Sequence, residues 1–192
     1  MSPVSTNNQT AAKSALTRVC NGFHAGESPW LANCVPIARD DVPAPFDLLL
    51  AHTRHMTTTL GSFHGREVSL RVLREQVDDD HYAREILLTL GAEGPVVEYG
   101  IARVNFAHAS PEIRTQVLEK RTPLGDILIA HDVLRTIRPR WFFRFPGDAE
   151  VATHFGPTGV VYGRVGTIYF EDAPAIELLE VVVGERRTSR TA

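Results

Sequence analysis

Two charged residues interrupt apolar stretches of this sequence, and both have side chains that could bind a small polar ligand. Arg84 precedes the run Ile-Leu-Leu at 86–88, and Glu180 lies inside the apolar stretch 178–183. Burying a charged group costs free energy unless the group has a partner, so each residue requires an ion-pair partner or a ligand. An arginine can hold a carboxylate by two parallel hydrogen bonds, and a glutamate can accept a hydrogen bond from a hydroxyl group.

A third segment, Arg121-Thr-Pro-Leu-Gly125, lies between these two and has the composition of a turn that opens a helix. Proline is favoured in the first turn of a helix, where backbone N–H groups without partners can bind an anion. Leu124 would offer such an N–H group, although an ordinary hydrophobic helix residue fits this position as well. Together the three segments predict an enclosed site for a ligand with a carboxylate at one end and a hydroxyl or ether at the other.

Both charged residues also have interpretations that need no ligand. Arg84 can be an exposed residue of a half-buried strand, or it can pair with Glu85 or Glu98. Glu180 can occupy a solvent-facing or edge position. Glu177 competes for the role of Glu180, because residues three apart in a strand face opposite sides of the sheet. The residues alone leave these alternatives open.

The composition is typical of a globular domain. The 192 residues are 43% hydrophobic and 22% charged, with a formal net charge of −3, and this length suits one domain with a substantial core. The charge balance favours neither a nucleic-acid partner nor an anionic membrane surface, and the basic segment 186–190 suits a solvated end. The first ten residues lack the apolar run of a signal peptide, and no apolar window has the length of a membrane span. We therefore expect a cytoplasmic protein. In that compartment Cys20 and Cys34 would be free thiols.

None of the eight histidines belongs to a recognisable metal-binding motif. His52 and His55 could share one face of a helix, but no third ligand follows at a typical spacing. The glycine-rich stretch 156–166 lacks the Lys-Ser/Thr ending of a phosphate-binding loop. We therefore expect neither a metal nor a cofactor.

Alternating apolar residues predict six strands, and apolar residues spaced around prolines and glycines predict several helices. Strands are expected at 68–72, 83–90, 96–106, 138–145, 160–170 and 176–183, and helices at 10–19, at 45–52, after Ser110-Pro111 and after Pro123. Because few helices separate the strands, the predicted fold class is α+β: one antiparallel sheet of about six strands, with helices covering one face and an enclosed ligand pocket. Residues 1–44 would form a partly mobile, wrapping N-terminal extension, with a loop at 27–43, and residues 45–192 would complete one compact domain.

The order and spacing of these segments resemble the chorismate lyase family, also called chorismate pyruvate-lyases. The resemblance runs through 48–57, 68–75, 82–90, 98–103, 121–125 and 162–164 and closes at Glu180. It covers roughly residues 45 to 183 and is strongest to the actinobacterial branch, which supplies 4-hydroxybenzoate to secondary metabolism.

The resemblance implies a lyase that converts chorismate, a small precursor of aromatic compounds, to 4-hydroxybenzoate and pyruvate without a cofactor. It implies that Arg84 binds the ring carboxylate together with the N–H group of Leu124, and that Glu180 hydrogen-bonds the ring oxygen. Met56 lies in the segment that supplies a further product contact, although a lone methionine is more often a plain core residue. Two alternatives remain: an enzyme with a related substrate or another hydroxybenzoate isomer, and a non-catalytic effector-binding domain. The sequence predicts no particular oligomeric state.

Overall fold

Seven antiparallel strands form one sheet in this computed structural model, which describes residues 5–24 and 28–185. The strands are β1 (Val35–Ile37), β2 (Val68–Val77), β3 (His81–Leu90), β4 (Val96–Asn105), β5 (Arg135–Phe145), β6 (Val161–Phe170) and β7 (Ala173–Val182). They lie side by side in the order β1-β5-β6-β7-β4-β3-β2, and each neighbouring pair is antiparallel. The predicted α+β class with a single antiparallel sheet is confirmed, with one strand more than expected.

Seven α-helices accompany the sheet in the described part of the chain. They are α1 (Thr6–Cys20), α2 (Pro29–Ala32), α3 (Phe46–Leu50), α4 (Met56–His64), α5 (Pro111–Glu119), α6 (Leu124–Ala130) and α7 (Glu150–Thr153), with short 3-10 helices at Arg39–Asp41 and Phe106–His108. None of these helices is long and apolar enough to cross a membrane.

The alternation of side chains along β3 assigns its residues to two separate helical layers. Ile86 and Leu88 pack with α3 and α4 on one face, through residues such as Leu60. Leu87 packs on the opposite face with α1, through residues such as Leu16. The predicted helical cover of one face is present, and α1, α2 and α7 add a second layer that the prediction did not include. Because both faces are covered, β3 is buried along almost its whole length.

Part of the stretch predicted as a loop, 27–43, belongs to the sheet. Val35–Ile37 pairs with residues 142–144 of β5 and forms the seventh strand. The prediction is wrong here because a three-residue strand that contains Pro36 shows no visible alternation. Residues 25–27 and the basic segment 186–190 lie outside the described residues.

Two local predictions that position the site are confirmed. The helix α5 begins at Ser110-Pro111, where the Ser110 hydroxyl accepts a hydrogen bond of 3.3 Å from the N–H group of Ile113. The helix α6 begins directly after Pro123. The sequence did not predict α4, whose first turn contains consecutive threonines that favour a helix only weakly.

Candidate ligand-binding site

A pocket of about 70 Å³ lies between the sheet and the beginnings of two helices. Its floor is formed by β3, β4 and β7, and its roof by residues 55–57 at the start of α4 and residues 123–125 at the start of α6. A hydrogen bond of 2.9 Å from the Thr57 hydroxyl to Asp126 Oδ1 joins the two helices. The volume is several times the roughly 15 Å³ that one water requires.

All four residues singled out in the sequence line this pocket: Met56, Arg84, Leu124 and Glu180. The structure therefore brings together segments that lie far apart in the chain. Whether each residue has the expected role toward a ligand stays a prediction.

The strand register places Arg84 and Glu180 on either side of β4. Arg84 lies opposite Ala102 in β4, and Glu180 lies opposite Gly100. Two strand spacings separate β3 from β7, roughly 10 Å, a distance that two long side chains and one ring-sized ligand can span. The small residues Gly100 and Ala102 leave this space open. A Cβ atom at Gly100 would lie only 3.3 Å from Ile86 Cδ1, so a larger residue would fill the floor.

Arg84 is only 2% exposed, and its Nη1 atom is buried without a hydrogen-bond partner. Desolvation lowers the pKa of this guanidinium, while the nearby Tyr82 and Glu75 favour its charged form. The alternative of an exposed arginine is therefore wrong. A buried cation with a free donor inside a pocket is suited to bind an anion.

Neither glutamate proposed as an internal partner pairs with Arg84 in the described residues. Glu85 points to the opposite face, where it forms an ion pair with Arg74 and accepts hydrogen bonds from Tyr99 at 2.6 Å and His24 at 3.0 Å. Burial opposes its ionisation, but these hydrogen bonds lower the pKa of Glu85 to about 2.

Glu180 is held in the pocket by Arg164, a neighbour on β6. Arg164 Nε lies 2.5 Å from Glu180 Oε2, and its Nη1 donates hydrogen bonds of 2.8 Å to the carbonyls of Leu50 and His52. Glu177 lies on the opposite face of β7 and pairs with Arg18 at 2.7 Å. The structure thus places Glu180, and not Glu177, at the pocket.

Glu98 also lines the pocket. The sequence analysis named it only as a possible partner for Arg84 and did not predict it as a site residue. Its side chain is buried, and Oε2 has no hydrogen-bond partner. Desolvation and the charge of Glu180 raise the pKa of Glu98 well above its usual value, although Arg164 opposes the shift. The available signal was the same as for Glu180, because Glu98 also interrupts an apolar strand, after Val96-Val97.

The roof places Leu124 at the first position of α6, where no side chain caps the helix. Beside it, His55 contacts Gly125, and a Cβ atom at Gly125 would lie 3.0 Å from His55 Nδ1. Burial, followed by the charges of Arg135 and Arg164, lowers the pKa of His55 to about 4. His55 is therefore a neutral pocket residue at neutral pH. The sequence analysis considered it only as a possible metal ligand together with His52 and did not predict its place in the pocket.

Within residues 5–24 and 28–185, no group of three or more histidine, cysteine, aspartate or glutamate side chains could hold a metal ion. The buried Cys20 and Cys34 are free thiols.

Comparison with known proteins assigns no family to this chain. No protein-family model matches it, and no curated protein is significantly similar. Among solved structures, the crystal structure of PhnF from Mycobacterium smegmatis aligns over 92% of this chain and 96% of that chain, with 13% identity and a TM-score of 0.44. Similarity at this level transfers no function, so function has to be inferred from the pocket.

Proposed function

We propose that this protein is a lyase that converts chorismate to 4-hydroxybenzoate and pyruvate. One observation carries the proposal: a buried, incompletely paired Arg84 and an anchored Glu180 lie at opposite sides of one small pocket. The cation suits the ring carboxylate, and the carboxylate suits the oxygen at the far side of the ring. The resemblance of the segments that carry these residues to chorismate lyases supports the same assignment, and it suggests that the product supplies secondary metabolism.

The main task of the protein in this reaction is to position chorismate. Loss of the enolpyruvyl group and of one ring proton makes the ring aromatic, so the reaction is strongly downhill. A rigid pocket accelerates such a reaction by holding one reactive conformer. In this proposal Arg84 and the N–H group of Leu124 fix the carboxylate, Met56 packs against the ring, and Glu180 contacts the ring oxygen.

The direct test is incubation of the purified protein with chorismate, followed by chromatographic identification of the aromatic product and of pyruvate. We expect equal amounts of 4-hydroxybenzoate and pyruvate, strong loss of both with Arg84→Ala, and an unchanged rate with Glu177→Gln, which removes a carboxylate from the opposite face. Intact chorismate would refute the proposal. A different hydroxybenzoate isomer would identify a related lyase.

A second candidate, non-catalytic binding of an aromatic monocarboxylate, is favoured by the charge of the pocket. Arg84 is a positive group, the ion pair of Arg164 with Glu180 has no net charge, and burial favours the neutral form of Glu98 by raising its pKa. One positive charge therefore remains, which matches the single carboxylate of 4-hydroxybenzoate better than the two of chorismate. Tight binding of 4-hydroxybenzoate in calorimetry without chorismate turnover would favour this candidate.

A further inference from the structure

Two carboxyl groups face the same pocket from neighbouring strands, and the fold gives them unequal surroundings. Gly100 pairs with Glu180 across β4 and β7, while Glu98 pairs with Val182. The two glutamates are therefore diagonal neighbours on one face of the sheet, at a distance that long side chains can bridge. Glu98 Oε1 lies 3.1 Å from the position of a Cβ atom at Gly100, so this carboxyl group lies over Gly100, the residue opposite Glu180.

Only one of the two glutamates has a cationic partner. Arg164 lies directly opposite Glu180 on β6 and forms the ion pair described above. Glu98 has no ion pair in the described residues, and its Oε2 is buried and unpartnered. A buried carboxyl group without a cation is stable only when it keeps its proton. The pocket thus holds one carboxylate beside one carboxylic acid.

We propose that Glu98 is the general acid of the lyase reaction, and that it donates its proton to the ether oxygen of the departing enolpyruvyl group. This role rests on the function proposed above. Glu180 takes the proton from the ring carbon that carries the hydroxyl group. The electrons of that C–H bond form the new ring double bond as the neighbouring C–O bond breaks, and the leaving oxygen is protonated by Glu98.

The products of this step are 4-hydroxybenzoate and the enol of pyruvate, which tautomerises to pyruvate. Glu180 is then protonated and Glu98 ionised, and transfer of one proton from Glu180 to Glu98 restores the starting state. No oxidant, metal or added water is consumed. A pair of titratable groups whose surroundings favour opposite protonation states is the usual basis for dividing acid and base roles.

The matched variant is Glu98→Gln, which keeps the shape of the side chain and a hydrogen-bond donor but has no acidic proton. We expect kcat for chorismate to fall on the order of 10²-fold or more, the usual contribution of a general acid. The KM should change little, because the lost interaction belongs to the transition state. Glu98→Asp, which keeps an acidic proton farther from the ligand, should retain part of the rate. The half-exposed Glu177, on the other face of the sheet, gives the control variant Glu177→Gln for removing a glutamate.

The pH profile separates this role from a structural one. The titratable groups around Glu98 are Glu180 on β7, Arg164 on β6, Arg84 on β3 and His55 at the start of α4. If Glu98 donates a proton, kcat/KM of the wild type falls at alkaline pH as Glu98 ionises, and this limb disappears in Glu98→Gln. Glu98→Met, an apolar side chain of similar length, replaces the glutamine variant should that one fail to fold.

The outcomes distinguish this role from the function on which it rests. Wild-type protein that leaves chorismate intact refutes the lyase function and the role of Glu98 with it. Wild-type turnover together with a Glu98→Gln variant of near-normal kcat and unchanged alkaline limb refutes the role of Glu98 alone. Strong loss of kcat with the alkaline limb removed supports it.

Discussion

The neutral state of Glu98 makes a prediction about folding stability that needs no substrate. The folded protein holds the pKa of Glu98 well above 4.5, the value of an unperturbed glutamate. As the pH rises above that value, the unfolded chain releases this proton while the folded protein keeps it. The free energy of unfolding should therefore fall with rising pH, until Glu98 also ionises in the folded protein. The contribution of Glu98 to the free energy of unfolding is therefore fully present at low pH and is lost as the pH rises.

The magnitude follows from one proton. While the unfolded state binds one proton fewer than the folded state, the free energy of unfolding changes by about 1.4 kcal/mol per pH unit. Glu98→Gln cannot ionise in either state, so this dependence is absent from the variant. Over the pH range in which only the unfolded chain has released this proton, the wild type should therefore lose stability relative to Glu98→Gln by that amount for each pH unit. The other groups of the pocket are shared by both proteins and largely cancel in the difference.

Urea denaturation of both proteins at a series of pH values measures this difference directly. Glu177→Gln is the control, because it removes a glutamate from the same sheet at a half-exposed position on the other face. Parallel curves for wild type and Glu98→Gln would mean that Glu98 ionises as easily in the folded protein as in the unfolded chain. That result would also remove the basis for Glu98 as a general acid.

Further predictions concern the ligand and the reaction. Arg84→Ala should weaken binding of 4-hydroxybenzoate by about 2–5 kcal/mol in calorimetry, since it removes a desolvated charge partner; equal affinity of the wild type for 4-hydroxybenzaldehyde, which lacks the carboxylate, would argue against this role. Because Glu180 takes the ring proton in the proposed reaction, Glu180→Gln should reduce chorismate turnover by roughly 10²–10⁴-fold; a modest loss would mean that Glu180 only accepts a hydrogen bond. Dialysis against a chelator should leave the rate unchanged, and restoration of a lost rate by zinc or magnesium would contradict this. Because the Thr57–Asp126 hydrogen bond closes the roof, product release should limit turnover, so rapid mixing should show a burst of product rather than a linear time course.

The strands that carry the site could be predicted because their local signals agree with their tertiary roles. The β3–β4 hairpin has apolar strands on both sides of a glycine-containing turn, and Gly91 adopts a positive φ of 75° that suits glycine. Arg84 and Glu180 were visible for a related reason: a charge inside an apolar strand is rare unless it is paired or functional. Both residues indeed lie in the pocket.

The elements that the sequence did not predict depend on distant partners. The β1 strand forms because the backbone of its three residues pairs with the edge of β5. No local sequence pattern encodes this contact. The helix α4 contains Thr57, Thr58 and Thr59, which disfavour a helix by themselves, but Leu60 is fully buried against the sheet. Tertiary packing here outweighs intrinsic propensity.

The unequal state of the two pocket glutamates also depends on strand order rather than on local sequence. Glu98 and Glu180 have similar apolar neighbours in the chain, so sequence alone gives no reason to treat them differently. The antiparallel pairing of β6 with β7 puts Arg164 directly opposite Glu180, and this ion pair assigns the negative charge to β7. Glu98 lies one strand farther from Arg164. Its burial and the charge of Glu180 both raise its pKa and so favour its protonated form. If Arg164 were removed, neither carboxyl group would have a cationic partner in the described residues, and the difference on which an acid and a base depend would be lost.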